Sequence, residues 1–299
     1  MIYERLEKCP VCGKTEFRNK LVVEDKSVSK ESFAIQQCEA CTFLFTNPRP
    51  DAAHIGRYYE SEEYVSHNSG AGGMINQAYK VARFFTMRRK VALVSRLAPR
   101  KGRLFDYGCG TGHFLAAAKA SGWQVAGWEP NERAREDAAR RIEQAPSNLQ
   151  ANLAQFPAES YDAITLWHVL EHVHTLNETL QQLIRLLKPD GVLIIAVLNV
   201  DSLDAQHYRQ DWAAYDVPRH LYHFSPKTMT QLLKKHKLLV EETLPMPLDA
   251  YYVSMLSEKH RAERGGGMLT VLKAGYQSNR YAASHQGQYS SVIYVARKR

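Results

Sequence analysis

Apolar and polar positions divide the chain into unlike parts. Over residues 104–198, short apolar runs alternate with segments whose apolar residues recur at helical spacing. Residues 104–105 open the series, 123–128 follow, 161–167 are the strongest strand signal, and 192–198 form the unbroken apolar run of a strand buried on both faces. Between them 115–120 reads as a helix, Asn131 caps one running through Arg141, and Leu176, Leu180, Leu183, Ile184 and Leu187 line one face of a third. Thr175-Leu-Asn-Glu178 has the sequence of a capping box, Lys188-Pro-Asp-Gly191 that of a turn, and a short strand is expected over 147–151. Strand alternating with helix predicts a doubly wound α/β sheet that binds ligands at the C-terminal ends of its strands.

The flanks follow other rhythms. Residues 75–97 repeat at helical spacing until Pro99, and 201–210 and 225–236 read as helices. A sixth strand is expected over 238–245 and an antiparallel seventh over 289–297. The insert between them, 246–288, holds two helical pieces around Gly265-Gly-Gly267 and is far longer than a hairpin connection, which marks a lid or a partner surface. Near the N-terminus, 20–27 and 33–37 read as strands.

Candidate chemistry centres on the turn Asp106-Tyr-Gly108-Cys-Gly110-Thr-Gly112-His113, which runs straight into a helix. Glycine lets the backbone pass through positive φ and lets a ligand touch main chain, and the helix N-terminus beyond presents free N–H groups. A dinucleotide fingerprint requires Gly-x-Gly-x-x-Gly, but the residue three after Gly110 is His113. Asp106 would repel a pyrophosphate and suits a cationic amino group or a water-bridged polar ligand. The next strand ends at Glu129, where a carboxylate can take both hydroxyls of a ribose.

From Arg103 onward this combination resembles the class I S-adenosylmethionine-dependent methyltransferases. The resemblance implies a Rossmann-like, seven-stranded doubly wound sheet with S-adenosylmethionine as cofactor. It implies that Asp106, Gly108, Cys109, Gly110, Gly112, Glu129 and His168 bind that cofactor, with Asn152 and Leu153 over its adenine. It further implies an N-terminal aromatic cover, for which Tyr58, Tyr64 and His67 are candidates.

Cysteine spacing adds a second unit. Cys9-Pro-Val-Cys12 and Cys38-Glu-Ala-Cys41 are two knuckles, each placing two thiolates on a tight turn, and together they complete a tetrahedron around structural zinc. Four thiolates leave no position for water, so catalysis by this metal is not expected. Cys109 fits the cradle as a small residue. The expected organisation is a zinc ribbon over 1–47, a linker and connecting helix over 48–99, and a methyltransferase domain over 100–299.

Composition changes this picture little. The 299 residues are 44% hydrophobic and 23% charged, ordinary for a globular protein. The net charge of +8 is spread over short basic groups, so nucleic acid is neither indicated nor excluded as a partner, and the oligomeric state stays open. With no apolar run of about 18 residues and a charged N-terminus, a cytoplasmic location is expected.

The strand 161–167 runs into His168-Val-Leu-Glu171-His172. These residues spell the inverted zinc-protease motif, in which both histidines share one helix face, whereas here the first closes a strand of a sheet already holding a nucleoside cradle. The segment instead resembles the motif that follows the fourth strand in methyltransferases like those of ubiquinone biosynthesis, where the Glu-His pair faces the pocket. His172 is then the general base, with His168 and Glu171 shaping the site. The polar, aromatic stretch 212–225 supplies acceptor candidates in Tyr215, Arg219, His220 and His223. The expected acceptor is a small molecule, a sugar, quinone or lipid-like metabolite methylated on oxygen or carbon; the alternative is an RNA or protein methyltransferase reading its substrate through the ribbon. The Asn/Asp-Pro-Pro-Phe/Tyr loop of amino-group methyltransferases is absent after Trp167.

Overall fold

The computed structural model describes residues 2–59, 74–149, 152–261 and 266–299. Five short strands come first: β1 (Tyr3–Glu4), β2 (Phe17–Glu24), β3 (Ser32–Cys38), β4 (Leu44–Thr46) and β5 (Arg49–Pro50). A long helix α1 (Met74–Leu97) leads to the alternating region: β6 (Arg103–Tyr107), α2 (His113–Ala120), β7 (Gln124–Trp128), α3 (Glu132–Ile142), β8 (Tyr161–Trp167), α4 (Leu176–Leu186) and β9 (Leu187–Leu198). Then come α5 (Leu203–Tyr208), β10 (Tyr222–His223), α6 (Pro226–Lys235), β11 (Leu238–Pro245), the insert helices α7 (Pro247–His260) and α8 (Met268–Ser284), and β12 (Ser291–Lys298).

The main sheet has the order β11-β12-β9-β8-β6-β7. Four neighbouring strands are parallel, and β12 runs antiparallel to both β9 and β11. The alternation of side chains explains the layers. Phe105, Ile164, Leu166, Leu193 and Ile195 bury on one face with α4 and α6, while Leu104, Ala163, Val192, Ile194 and Val295 bury on the other with α1, α2 and α3. This is the doubly wound class that the pattern predicts.

Three local expectations fail for identifiable reasons. Residues 147–149 of the strand expected over 147–151 form a 3-10 turn, Pro146–Leu149, instead, since Pro146 lacks a ladder donor and Pro-Ser-Asn favours turns, while 150 and 151 lie outside the described residues. One bond, Glu129 N–H to the Leu149 carbonyl at 2.9 Å, keeps it beside β7, so the sheet has six strands among the described residues. Lys188-Pro-Asp-Gly191 does not leave the sheet; it bulges within β9, where the register jumps from Tyr161↔Leu187 to Ala163↔Val192. Thr175 makes no capping bond, and its hydroxyl lies 3.3 Å from that of Thr179.

The ribbon is also less separate than a 1–47 unit. Its sheet runs β10-β4-β3-β2, with Tyr222 opposite Phe45 and His223 opposite Leu44, so its last strand comes from the stretch expected to hold acceptor residues. Phe43 packs on Tyr222 and Phe224 at 5.9 and 5.5 Å between ring centroids. Arg219 is buried between the two parts, 2.9 Å from Asp25 Oδ1 and 2.6 Å from Asp216 Oδ1, with Nη1 donating to the Tyr58 carbonyl. That side chain is an internal clamp, which corrects its reading as an acceptor residue. Tyr58 packs on Phe33 of the ribbon at 5.6 Å, not over the cradle, and Tyr64 and His67 lie outside the described residues. Among the described residues no helix is long and apolar enough to cross a membrane.

Candidate active site

The cradle forms where β6 ends and α2 begins. Gly108, Gly110 and Gly112 have φ of 75°, 54° and 77°, the left-handed region that favours glycine. Two of the three are fixed by packing: a Cβ on Gly108 would lie 2.6 Å from Val169, and one on Gly112 2.7 Å from Ala138 Cα. At Gly110 a Cβ would meet nothing within 4 Å. The loop is therefore closed on its protein side and open at its centre, as a cradle for a small ligand must be.

Carboxylates flank it. Glu129 accepts from the backbone N–H of Gly110 at 2.8 Å and of Asn131 at 2.9 Å, which fixes its carboxylate against the loop and leaves a lone pair on each oxygen. Burial raises its pKa, opposed by those N–H groups. Asp106 is buried and accepts from Thr165 Oγ1 at 2.6 Å; burial pushes its pKa up to about 7, and a cation nearby favours its charged form. Cys109 is buried between the glycines, and burial raises its thiol. Asn152 caps the short turn Leu153–Gln155, and Leu153 packs at the edge of the core.

On the same side, Lys90 of α1 lies with Nζ 4.4 Å from the ring centroid of Trp167. Burial lowers its pKa while Asp106 and Asp249 oppose that shift. Trp167 Nε1 is buried with no hydrogen-bond partner among the described residues. Neither residue was singled out from the sequence, because Lys90 sits in an Arg-Arg-Lys group that reads as a solvated helix face.

Beyond Trp167 the chain turns sharply, with His168 at φ 56°, a strained value for a non-glycine residue. His168 Nδ1 lies 3.4 Å from Glu171 Oε1 and Nε2 3.2 Å from Asp249 Oδ2. Burial opposes protonation, but the two carboxylates outweigh it and raise the His168 pKa to about 9. Both Glu171 oxygens are buried and lack a hydrogen bond among the described residues, so the contact with His168 is an ion pair only. Burial would raise Glu171, yet the imidazoles of His168, His220 and His172 hold it below the usual range.

His172 is set differently. Its Nδ1–H donates to the Arg219 carbonyl at 3.0 Å, with the Tyr59 hydroxyl 3.1 Å away, which leaves Nε2 as the unprotonated nitrogen. Burial, reinforced by His220 at a ring distance of 4.6 Å, lowers its pKa to about 4. Glu171 thus pairs with His168 and does not orient His172.

The ribbon braces this turn. Leu221 N–H donates to the Glu171 carbonyl at 2.8 Å, and Thr46 N–H to the Leu221 carbonyl at 3.0 Å. Thr46 Oγ1 donates to the His220 carbonyl at 2.9 Å and lies 3.1 Å from His223 Nε2. His220 Nδ1–H donates to the Ala214 carbonyl at 2.8 Å. Tyr215 meets the His223 ring at 5.3 Å, and both line a cavity of about 530 Å³ at the seam, bordered by Lys20, Leu44, Arg209 and Lys227.

At the far end of the ribbon, the ligand atoms of Cys9, Cys12, Cys38 and Cys41 all lie within 4.8 Å of one another. The Sγ pairs Cys9–Cys41 and Cys12–Cys38 are each 3.5 Å apart. A disulfide would bring sulfurs to about 2 Å; a tetrahedron with metal–sulfur bonds of about 2.3 Å has edges near 3.8 Å, which this set fits. Gly13 and Thr42, each directly after the second cysteine of its knuckle, share the left-handed conformation at φ 76° and 70°.

Comparison with known proteins gives the same direction. A malonyl-[acyl-carrier protein] O-methyltransferase of Enterobacter lignolyticus (strain SCF1) is 32% identical over 136 residues, 44% of this chain and 53% of that protein. A ubiquinone biosynthesis O-methyltransferase of Rhodopseudomonas palustris (strain TIE-1) is 26% identical over 152 residues, 47% of this chain and 59% of that protein. The chain thus spans little more than half the length of these relatives. The fold is similar to that of magnesium protoporphyrin IX methyltransferase from Synechocystis PCC 6803, solved with bound S-adenosylhomocysteine, at a TM-score of 0.53 and 16% identity over 83% of this chain and 100% of that one. The family profile of a methyltransferase domain matches residues 79–243. The chain belongs to that family, as a class I S-adenosylmethionine-dependent methyltransferase with a four-cysteine cluster near its N-terminus.

Proposed function

We propose that the protein transfers a methyl group to an oxygen or carbon of a small-molecule acceptor, with His172 as the general base. The observation that carries this reading is the divergence of two histidines around one buried carboxylate: His168 is held cationic and His172 neutral, with Nε2 free to accept a proton. The names of the matching relatives, both O-methyltransferases, support it. The cavity at the ribbon seam, with Tyr215 and His223 in its wall, is the proposed acceptor entrance.

When bound, S-adenosylmethionine supplies a methyl group on a sulfonium. In this reading the open face of Gly110 receives its main-chain contacts and Glu129 its ribose, as the glycine geometry and the fixed carboxylate allow. Asp106 holds a cationic amino group, and Lys90 with Trp167 Nε1 holds a carboxylate beside it, which gives the buried donor a partner. His168 keeps Glu171 ionised next to His172, and the turn that carries them excludes water from one side of the acceptor. The four thiolates hold structural zinc, and the ribbon it stabilises braces the histidine cluster through Thr46.

The test is incubation of the protein with methyl-labelled S-adenosylmethionine and a whole-cell extract, with the small-molecule, RNA and protein fractions then read by mass spectrometry. Label in an O- or C-methylated metabolite supports the proposal; label confined to RNA or protein overturns it.

A further inference from the structure

The cavity of about 530 Å³ at the ribbon seam collects cations from three elements. Lys20 comes from β2, Arg209 from the 3-10 turn Arg209–Asp211 and Lys227 from the first turn of α6, and the joining of ribbon and main sheet brings them into one wall. Asp201 is a carboxylate in the same wall. Burial raises its pKa and Lys227 opposes that rise, so these two charges offset each other. Lys20 and Arg209 then give the described lining a surplus of two positive charges.

Two neutral features add to that charge. Tyr215 is 5% exposed and lines the cavity, and its hydroxyl makes no hydrogen bond among the described residues. Burial, with Asp201 nearby, raises its pKa to about 12, so near pH 7 it keeps its proton and can donate. A buried hydroxyl is ordinarily partnered, and here the cavity is the side left for its acceptor. The second feature is the start of α6, a helix of ten residues whose cap, Ser225, is in the wall. The positive end of that helix therefore stands at the cavity.

Resting on the reading of this cavity as the acceptor entrance, we infer that the acceptor carries a phosphate group, which seats among Lys20, Arg209, Lys227 and the Tyr215 hydroxyl. A phosphate near its dianionic form matches the surplus of two. Arginine supplies a fork of donors to its oxygens, the lysines supply point charges, and the tyrosine adds one neutral donor. A lone carboxylate would leave one cation uncompensated, and a neutral acceptor would leave two. The arrangement also has a direction. His223 lines the cavity and belongs to the histidine cluster, where His220 and Glu171 act on it. An acceptor held by its phosphate at the seam extends its reacting end toward that cluster and His172.

The experiment has two arms. Calorimetry of the full chain with S-adenosylhomocysteine present should show binding of inorganic pyrophosphate, weakened at least tenfold in Lys20→Gln with Arg209→Gln and about fivefold in Tyr215→Phe. The thermal transition and the affinity for S-adenosylhomocysteine should stay unchanged, since both cations are exposed and phenylalanine keeps the ring contacts with Trp212 and His223. No binding, or equal binding by wild type and variants, overturns the proposal. In the second arm, the labelled small-molecule product made from methyl-labelled S-adenosylmethionine and whole-cell extract is run on an anion exchanger before and after digestion with phosphodiesterase and phosphatase. Retention that is lost on digestion is the expected result. A product that is never retained, or one whose retention survives digestion and so comes from a carboxylate, overturns the phosphate and leaves methyl transfer to a small molecule standing. Label confined to RNA or protein overturns both.

Discussion

His168 Nε2 and Asp249 Oδ2 stand 3.2 Å apart and tie the first turn of the insert to the end of β8. The pair makes stability depend on alkaline pH. The folded His168 pKa is about 9, above the ordinary 6.5, so the folded state holds an extra proton between those values. The stabilisation is complete below about pH 6.5 and is lost as pH rises through 9, on the order of 3 kcal/mol. Urea midpoints measured from pH 6 to 10 should fall for the wild type and fall much less for Asp249→Asn. Parallel curves for the two proteins would show that the pair does not set this titration.

Gly110 and Gly112 separate ligand from packing. A methyl group on Gly112 meets Ala138 Cα at 2.7 Å, whereas one on Gly110 meets open space. Gly112→Ala should therefore cost about 2 kcal/mol or more of stability, and Gly110→Ala only about 1 kcal/mol, from its positive φ. For S-adenosylmethionine affinity by calorimetry the order reverses at Gly110, with a loss of at least tenfold despite its mild effect on folding. Wild-type affinity in Gly110→Ala would move the cofactor away from the cradle.

The legible parts of this chain were those written locally. The sheet class, both cysteine knuckles and the glycine turn follow from spacing alone, because each depends on residues close in sequence. What was not legible is long-range. Asp249 reaches His168 from an insert whose position no periodicity reveals, and Arg219 looked like an acceptor residue until Asp25 and Asp216 closed around it. A polar run beside the active edge has the same composition whether it binds substrate or, like Tyr222–His223, completes a neighbouring sheet. At 147–149 a turn opened by Pro146 outweighed the weak apolar signal for a strand.

Arg219→Met should act on stability, not on acceptor affinity. It removes the cation from two carboxylates, one of them the fully buried Asp25, and leaves uncompensated charge. Breaking a buried pair from one side costs about 3–5 kcal/mol. Asp25→Asn in addition should recover part of that loss in a double-mutant cycle. A variant as stable as wild type but with a raised KM for the acceptor would restore Arg219 to the binding site.

Metal analysis of protein purified without chelators should find one zinc per chain, and Cys38→Ser should abolish it, since that sulfur is fully buried in the cluster. Because Thr46 braces His220 and His223, loss of zinc should lower methyl transfer at least tenfold while cofactor affinity changes less than about threefold. Protein that contains no zinc would remove the structural role, and unchanged turnover in Cys38→Ser would remove the brace.

The base assignment rests on how differently His168 and His172 are held. His168, with a pKa of about 9, is already protonated near pH 7 and cannot accept the acceptor's proton. His172, lowered to about 4 by burial and by His220, is neutral there, and its Nδ1–H is engaged by the Arg219 carbonyl, so only Nε2 carries a lone pair. His172→Ala should lower kcat by roughly 10²-fold with cofactor affinity nearly unchanged. The sign of the pH dependence follows from the lowered pKa: activity should persist well below the usual histidine range and fall only as pH drops toward about 4, and this acid limb should vanish in the variant's residual rate. His172→Gln, which keeps a side-chain donor for the Arg219 carbonyl but offers no base, should be as slow as His172→Ala while folding like wild type. If the glutamine variant keeps full turnover and His220→Ala loses it, proton transfer runs through His220, and His172 serves only to position its neighbour.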